Sequence, residues 1–131
     1  MIKTVGKTKY IFELGKIEEK KVDLIYLWTT PSLNSGDLTF IRVHKEAGSQ
    51  LSEQCLSATI NHGIKDSNQQ YVIPAGQCVI TDAGNLEQYN IIHCVLPNHK
   101  DKQQNKNKLI YLTNVIQNGI ELAKAYGELE Y

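Results

Sequence analysis

Residues 73–97 read IPAGQCVITDAGNLEQYNIIHCVLP, two apolar runs joined by a turn rich in Gly, Asp and Asn. Neither run has the length of an ordinary helix, and both carry Val and Ile, which suit a pleated and covered surface. The pattern predicts two strands, over 77–81 and 89–96, with a turn between them.

Upstream, 22–28 (VDLIYLW) is almost continuously apolar, as in a strand covered on both faces of a parallel or mixed sheet. Residues 9–17 (KYIFELGKI) predict an earlier strand, with GKIEEKK as a charged connection. The run 29–37 (TTPSLNSGD) is a loop by composition. Asp37 or Thr39 can cap a helix through LTFIRVHKEAG, with Gly48 as its stop, and Ser49 opens a second helix through QLSEQCLSATI. Residues 61–70 predict an exposed loop.

Downstream, 97–108 is a polar connection rich in Lys and Asn. Leu109, Leu112, Ile116, Ile120 and Ala123 then repeat at three- and four-residue steps, which predicts a helix stopping at Gly127. Strands interleaved with helices define an α/β layered domain, expected to be a single unit over 1–131.

The 131 residues carry 14 basic and 14 acidic side chains, so no global field draws the chain to nucleic acid or to an anionic membrane. No apolar run is long enough to span a bilayer, and the first residues show no signal-peptide pattern. Cys55, Cys78 and Cys94 make neither a CxxC pair nor an even disulfide set, which points to core thiols in a reducing, cytoplasmic setting.

Three segments in order resemble a macro domain. The span 13–30 (ELGKIEEKKVDLIYLWTT) is similar to a strand, a Gly-Asp-Ile turn and the motif VDAIVNAAN. The span 35–48 (SGDLTFIRVHKEAG) resembles a glycine-rich loop and a helix ending IHRAAG, with Val43, His44, Lys45, Ala47 and Gly48 in matching places. Residues 73–95 resemble CPTGEAKITPGYNLPAKYVIHTV, with Pro74, Gly76, Ile80, Thr81, Leu86, Ile92, His93 and Val95 matching. The resemblance implies a three-layer α/β/α domain with a mixed sheet, reduced relative to the family. It also implies a cleft for ADP-ribose or a similar nucleotide at Ile17, Thr30, Gly36, Asp37 and Leu38.

Departures from the family pattern fall on that cleft. Lys16 stands where an acid would accept the adenine amino group, and a cation cannot accept a hydrogen bond. Leu27 and Thr30 replace the asparagines of NAAN. Asp37 and Leu38 occupy glycine positions, and Phe40 lies where hydrolytic members carry an Asp, so no base orients water there. A second phosphate loop of ISTG type, expected after the last helix, has no counterpart in the chain, which ends at Tyr131. The sheet must then re-pair 9–15 against 22–28, recruit another chain, or belong to a fragment.

Each lost acceptor in a desolvated site costs about 1–3 kcal/mol, and each 1.4 kcal/mol is about tenfold in affinity. The expectation is weak ADP-ribose binding by a module without catalysis, cofactor or metal. The alternative is a scaffold or oligomerising interaction protein that has lost nucleotide binding, and an ADP-ribosyl hydrolase ranks third.

Candidate by candidate, the structural explanation is favoured. The 29–38 loop reads as a connector capped by Asp37 ahead of a remnant phosphate cradle at Gly36. Lys16 reads as solvated and Asp23 as a turn residue. His44 and His93 are each open to a role as metal ligand or general base, but the spacing of His93 and His99 carries no zinc signature, and His93 reads as a buried side chain with one hydrogen-bond partner. His62 and His99 sit in polar loops. Trp28 reads as core, with base stacking as its alternative.

Overall fold

In the computed structural model, residues 1–88 and 90–130 are described, with 127–130 described for their backbone alone. An antiparallel hairpin of β1 (Ile2–Val5) and β2 (Thr8–Ile11) comes first. It turns at Gly6, whose φ of +62° lies in the region that side chains disfavour. This corrects the strand expected over 9–17. Pairing ends at Ile11, because the glycine turn returns the chain onto β1, and residues 12–16 are exposed and without strand structure.

A 3-10 turn (Ile17–Glu19) leads to β3 (Leu24–Thr29), then α1 (Leu38–Ala47) and α2 (Ser49–His62). Asp37 caps α1 by accepting a hydrogen bond from the Phe40 amide at 3.0 Å, and Gly48, at φ +86°, separates the two helices. The loop expected over 61–70 instead contains β4 (Ile64–Lys65), which pairs with β5 (Tyr71–Val72). The Asp66 carboxylate shapes that turn by accepting from the Asn68 and Gln70 amides.

The 73–97 stretch then forms β6 (Cys78–Asp82) and β7 (Asn90–Val95), as its two-run pattern predicts. Tyr89, the expected first residue of the second strand, lies outside the described residues. Between the strands, Gly84 (φ +59°) brings the backbone against Ala47, and the Asn85 amide donates to the Ala47 carbonyl at 2.9 Å. The turn is thereby seated on the α1–α2 junction.

The connection expected over 97–108 holds a short helix, α3 (Lys102–Lys106). Asp101 caps it by accepting from the Gln103 and Gln104 amides. The last helix, α4 (Lys108–Glu130), continues past the stop expected at Gly127. A lone glycine lowers helix propensity by about 1 kcal/mol, which a continuing helix can absorb.

The main sheet runs β3-β7-β6, with β3 parallel and β6 antiparallel to the central β7. Alternation along the strands sends Ile25, Leu27, Val79, Ile91 and Val95 toward α1 and α2, where they meet Phe40, Val43, Ala47, Leu51 and Cys55. The other face carries Ile92, Cys94, Cys78 and Ile80 against Val115, Leu122 and Ala123 of α4. Helices on both faces of a mixed sheet make this the three-layer α/β/α domain that the resemblance implies.

The expectation that 22–28 is covered on both faces holds for one. Helix α4 lies over β6 and β7, so Tyr26 and Trp28 remain 40% and 39% exposed. Of the three ways of completing the sheet, the pairing of 9–15 with 22–28 does not form, since β2 pairs with β1. Among the described residues no strand covers the outer edge of β3.

Candidate functional site

Two parallel strands, β3 and β7, end side by side, and each then turns away from the sheet. The gap between their departing chains is a general place for a ligand in open α/β sheets. Here it is a cleft of about 680 Å³ lined by Trp28, Thr29, Thr30, Pro31, Gly36 and Asp37 on the β3 side. Leu96, Pro97, Asn98, His99, Lys100 and Gln104 line the β7 side. The indole of Trp28, with Leu96 and Pro97, provides apolar wall, while Asp37 and Lys100 place opposite charges on opposite sides.

The β3 side is held by its own backbone. The Thr30 amide and the Thr29 hydroxyl both donate to the Ser35 carbonyl, at 3.1 and 3.0 Å. The Leu33 amide donates to the Thr30 carbonyl at 2.9 Å, and the Ile73 amide to Pro31 at 2.8 Å. Leu33 is buried with φ +57°, a backbone conformation that branched residues rarely adopt and that its packing must sustain. Gly36 approaches Phe40 so closely that an added Cβ would lie 2.7 Å from the Phe40 Cβ. This loop is preorganised.

At its end stands the N-terminus of α1, where backbone amides attract anions. The Asp37 carboxylate already takes the Phe40 amide, so an incoming phosphate would meet a negative charge in that place. Across the cleft, Gln104 accepts from the Asn98 amide at 2.7 Å and Asn98 accepts from the Lys100 amide at 3.0 Å. These bonds fix the loop that carries His99 and Lys100.

The structure brings Thr30, Gly36 and Asp37 together in this cleft and leaves Ile17 and Leu38 outside its lining. Ile17 is half-buried against the α1/α2 core, and the Leu38 side chain is exposed at the start of α1. Trp28 is a cleft wall, which corrects its reading as core. The β3 strand presents it on the α4 face of the sheet, at the strand end, where it stays 39% exposed. His99, given no role by its polar surroundings, lines the opposite side. The position of Trp28 at the end of a strand, next to TTP, is the available signal; for His99 and Lys100 there is none, because the turn between β7 and α3 places them.

A second cavity, of about 430 Å³, lies between α1, α2 and the β4–β5 hairpin and reaches His44 and Cys55. Although no ligand spacing is legible in sequence, the ligand atoms of His44, Cys55 and His93 lie within 4.8 Å of one another. That donor set suits a Zn²⁺-type cation in kind. Its present arrangement is a polar knot in the core. The Thr81 hydroxyl donates to the Asp82 carbonyl at 2.9 Å and meets His93 Nε2 at 2.8 Å. It therefore accepts from Nε2–H, leaving Nδ1 unprotonated and 4.0 Å from the Cys55 sulfur. Burial, with the nearby His44, pushes His93 down to about 3, and burial pushes the Cys55 thiol up to about 12.

With the geometry in place, kinship can be judged. The family model of the macro domain matches residues 39–128. An O-acetyl-ADP-ribose deacetylase of Escherichia fergusonii is 34% identical over 113 residues, covering 86% of this chain and 58% of that protein. A macro domain-containing protein of Listeria monocytogenes is 36% identical over 96 residues, covering 72% of this chain and 50% of its own length.

Among solved structures, an Oceanobacillus iheyensis macrodomain with ADP superposes with a TM-score of 0.82 at 24% identity. That match covers 97% of this chain and 63% of the other. A structure of that macrodomain with MES bound gives 0.72 at 26% identity, covering 86% and 56%. The chain belongs to the macro-domain family, and it spans little more than half the length of the curated relatives it matches. The family is the ADP-ribose-binding one that the 73–95 motif resembles.

Proposed function

We propose that residues 1–131 form one macro-type binding module with an altered cleft for ADP-ribose or a related nucleotide, and that the module binds without catalysis. The observation that carries this reading is the Trp28-walled cleft at the ends of β3 and β7, closed at the α1 N-terminus by the Asp37 carboxylate. Thr30, Gly36 and Asp37 line the binding surface, and Leu38 takes part through its amide in the first turn of α1. Ile17 acts from behind, by supporting the approach to β3 from the core side.

Trp28 supplies a face on which a base can stack, worth about 1–3 kcal/mol. Against this stand the loss of the adenine acceptor at Lys16 and the anion already placed at Asp37. The reading therefore combines a usable shape with weakened polar recognition. Calorimetric titration with ADP-ribose and with ADP tests it, and dissociation constants weaker than the low micromolar range are expected. Binding at or below that range would remove the claim of an altered cleft. Because the Escherichia fergusonii relative carries the name O-acetyl-ADP-ribose deacetylase, turnover of that ester is the second assay, and the expected result is none.

A scaffold reading is favoured by different residues. Leu109, Ile116 and Ile120 on α4 are 75%, 56% and 46% exposed, and the outer edge of β3 is uncovered among the described residues. Light scattering over a concentration series distinguishes the two readings, since a persistent monomer leaves the binding module alone.

A further inference from the structure

Two of the three thiols meet across the sheet. Cys78 of β6 and Cys94 of β7 are register partners, and their sulfur atoms lie 3.7 Å apart. Next to them, the Val95 amide donates to the Gln77 carbonyl at 3.1 Å. The Gly76 amide donates to the Val95 carbonyl at 2.9 Å, so Gly76 and Gln77 together face Val95 in a bulge, and Cys78–Cys94 is the next pair along, of the closer, non-hydrogen-bonded kind with Cα atoms about 4.5 Å apart. Disulfides bridge Cα separations of roughly 4.4–6.8 Å, so closure needs side-chain rotation and little backbone movement.

Access is one-sided, which sets the roles. Cys78 is half-buried and opens onto a groove of about 460 Å³ shared with Gln77, Asn118, Glu121 and Leu122, whereas Cys94 is sealed beneath α4. The sulfur–sulfur contact with Cys94 holds the Cys78 thiol below the ordinary thiol range, while the same contact and burial push Cys94 up. Cys55 is on the opposite face of the sheet, buried, and poorly ionised. The macro-domain pattern aligned above has Ala and Thr where this chain has Cys78 and Cys94.

We propose that Cys78 and Cys94 form a reversible thiol–disulfide site, reached from the groove beside α4 and oxidised by a hydroperoxide. The Cys78 thiolate attacks the peroxide oxygen, giving a sulfenic acid as the O–O bond breaks and the distal oxygen leaves as an alcohol or water. The Cys94 sulfur then attacks the Cys78 sulfur, the S–S bond forms, and the sulfenic oxygen leaves as water with the Cys94 proton. Two thiols lose two electrons and two protons in all, and the hydroperoxide is reduced. A dithiol reductant reverses the step.

The site carries its own reporter. Trp28, the single tryptophan, is the register partner of Cys94 on the other side of β7. The whole chain, treated with hydrogen peroxide, should lose the mass of two hydrogens, yield a peptide joining Cys78 to Cys94, and show Trp28 emission that falls and recovers with dithiothreitol. Cys55→Ser should behave like the parent. Cys78→Ser should abolish both the mass change and the emission change, and Cys94→Ser should leave a sulfenic acid at Cys78 that dimedone traps. Oxygen added to Cys78 of the parent chain without a cross-link, or a cross-link that survives Cys94→Ser, would overturn the proposal.

Discussion

The two faces of the β3-β7-β6 sheet are finished to different standards. Toward α1 and α2, side chains from all three strands, both helices and the 29–37 loop close a continuous core that includes Leu33 and Ile73. Toward α4, Ile92, Cys94 and Val115 alone among the described residues are fully enclosed, with Leu24, Cys78 and Ile80 packed partly around them. The Trp28-walled cleft and the Cys78–Cys94 pair lie on or beside the second face, while the His44–Cys55–His93 knot and the cavity that reaches it lie on the first. Tight packing provides stability on one side and leaves chemistry to the other.

The contrast can be broken most severely on the closed face. Leu51 is fully buried, and Leu51→Ala is expected to cost about 2–5 kcal/mol in chemical denaturation, through lost burial and a residual cavity. If the loss were within about 0.5 kcal/mol, the two faces would not differ as described.

The second effect sharpens the contrast from the thinner side. A Cys78–Cys94 disulfide closes a loop across a separation of 16 residues, which in the chain-entropy account stabilises by about 3 kcal/mol. The oxidised protein should therefore unfold at higher denaturant than the reduced one, and Cys78→Ser should erase the difference.

Third comes pH. His93 has a folded-state value near 3 against an ordinary 6.5, so the unfolded chain binds the proton more readily. Its contribution is fully present above pH 6.5 and is lost as pH falls toward 3. The slope is about 1.4 kcal/mol per pH unit in that window. His93→Gln should flatten the profile there in denaturation measured at several pH values, whatever it does to stability at neutral pH.

Smaller still is Asp37→Asn at the cleft. Asn also caps helices well, so folding should change by less than about 1 kcal/mol. Removing the charge from the α1 N-terminus should tighten ADP binding by roughly severalfold, since a favourable charge–dipole contact there is worth about 0.3–1 kcal/mol. Equal or weaker calorimetric affinity would show that phosphate does not approach this end. The smallest change is Ile120→Ala on the open side of α4, expected within about 0.5 kcal/mol by denaturation.

What the amino-acid order determined alone is local: strands in 73–97, the Asp37 cap, the Gly48 break between two helices, and the apolar repeat of α4. Each depends on neighbours within a few residues, through period, capping or turn chemistry. The β1–β2 hairpin has a turn signal at Gly6, but its strands are four residues each and fully exposed, so no apolar pattern marks them. The short helix α3 was hidden because its polar residues bury nothing and only Asp101 marks its start. Tertiary structure alone decided that Trp28 borders a cleft, that His44, Cys55 and His93 converge, and that Cys78 faces Cys94. Those outcomes depend on strand register and on how far α4 extends across the sheet, and both are set by contacts between residues far apart in the chain.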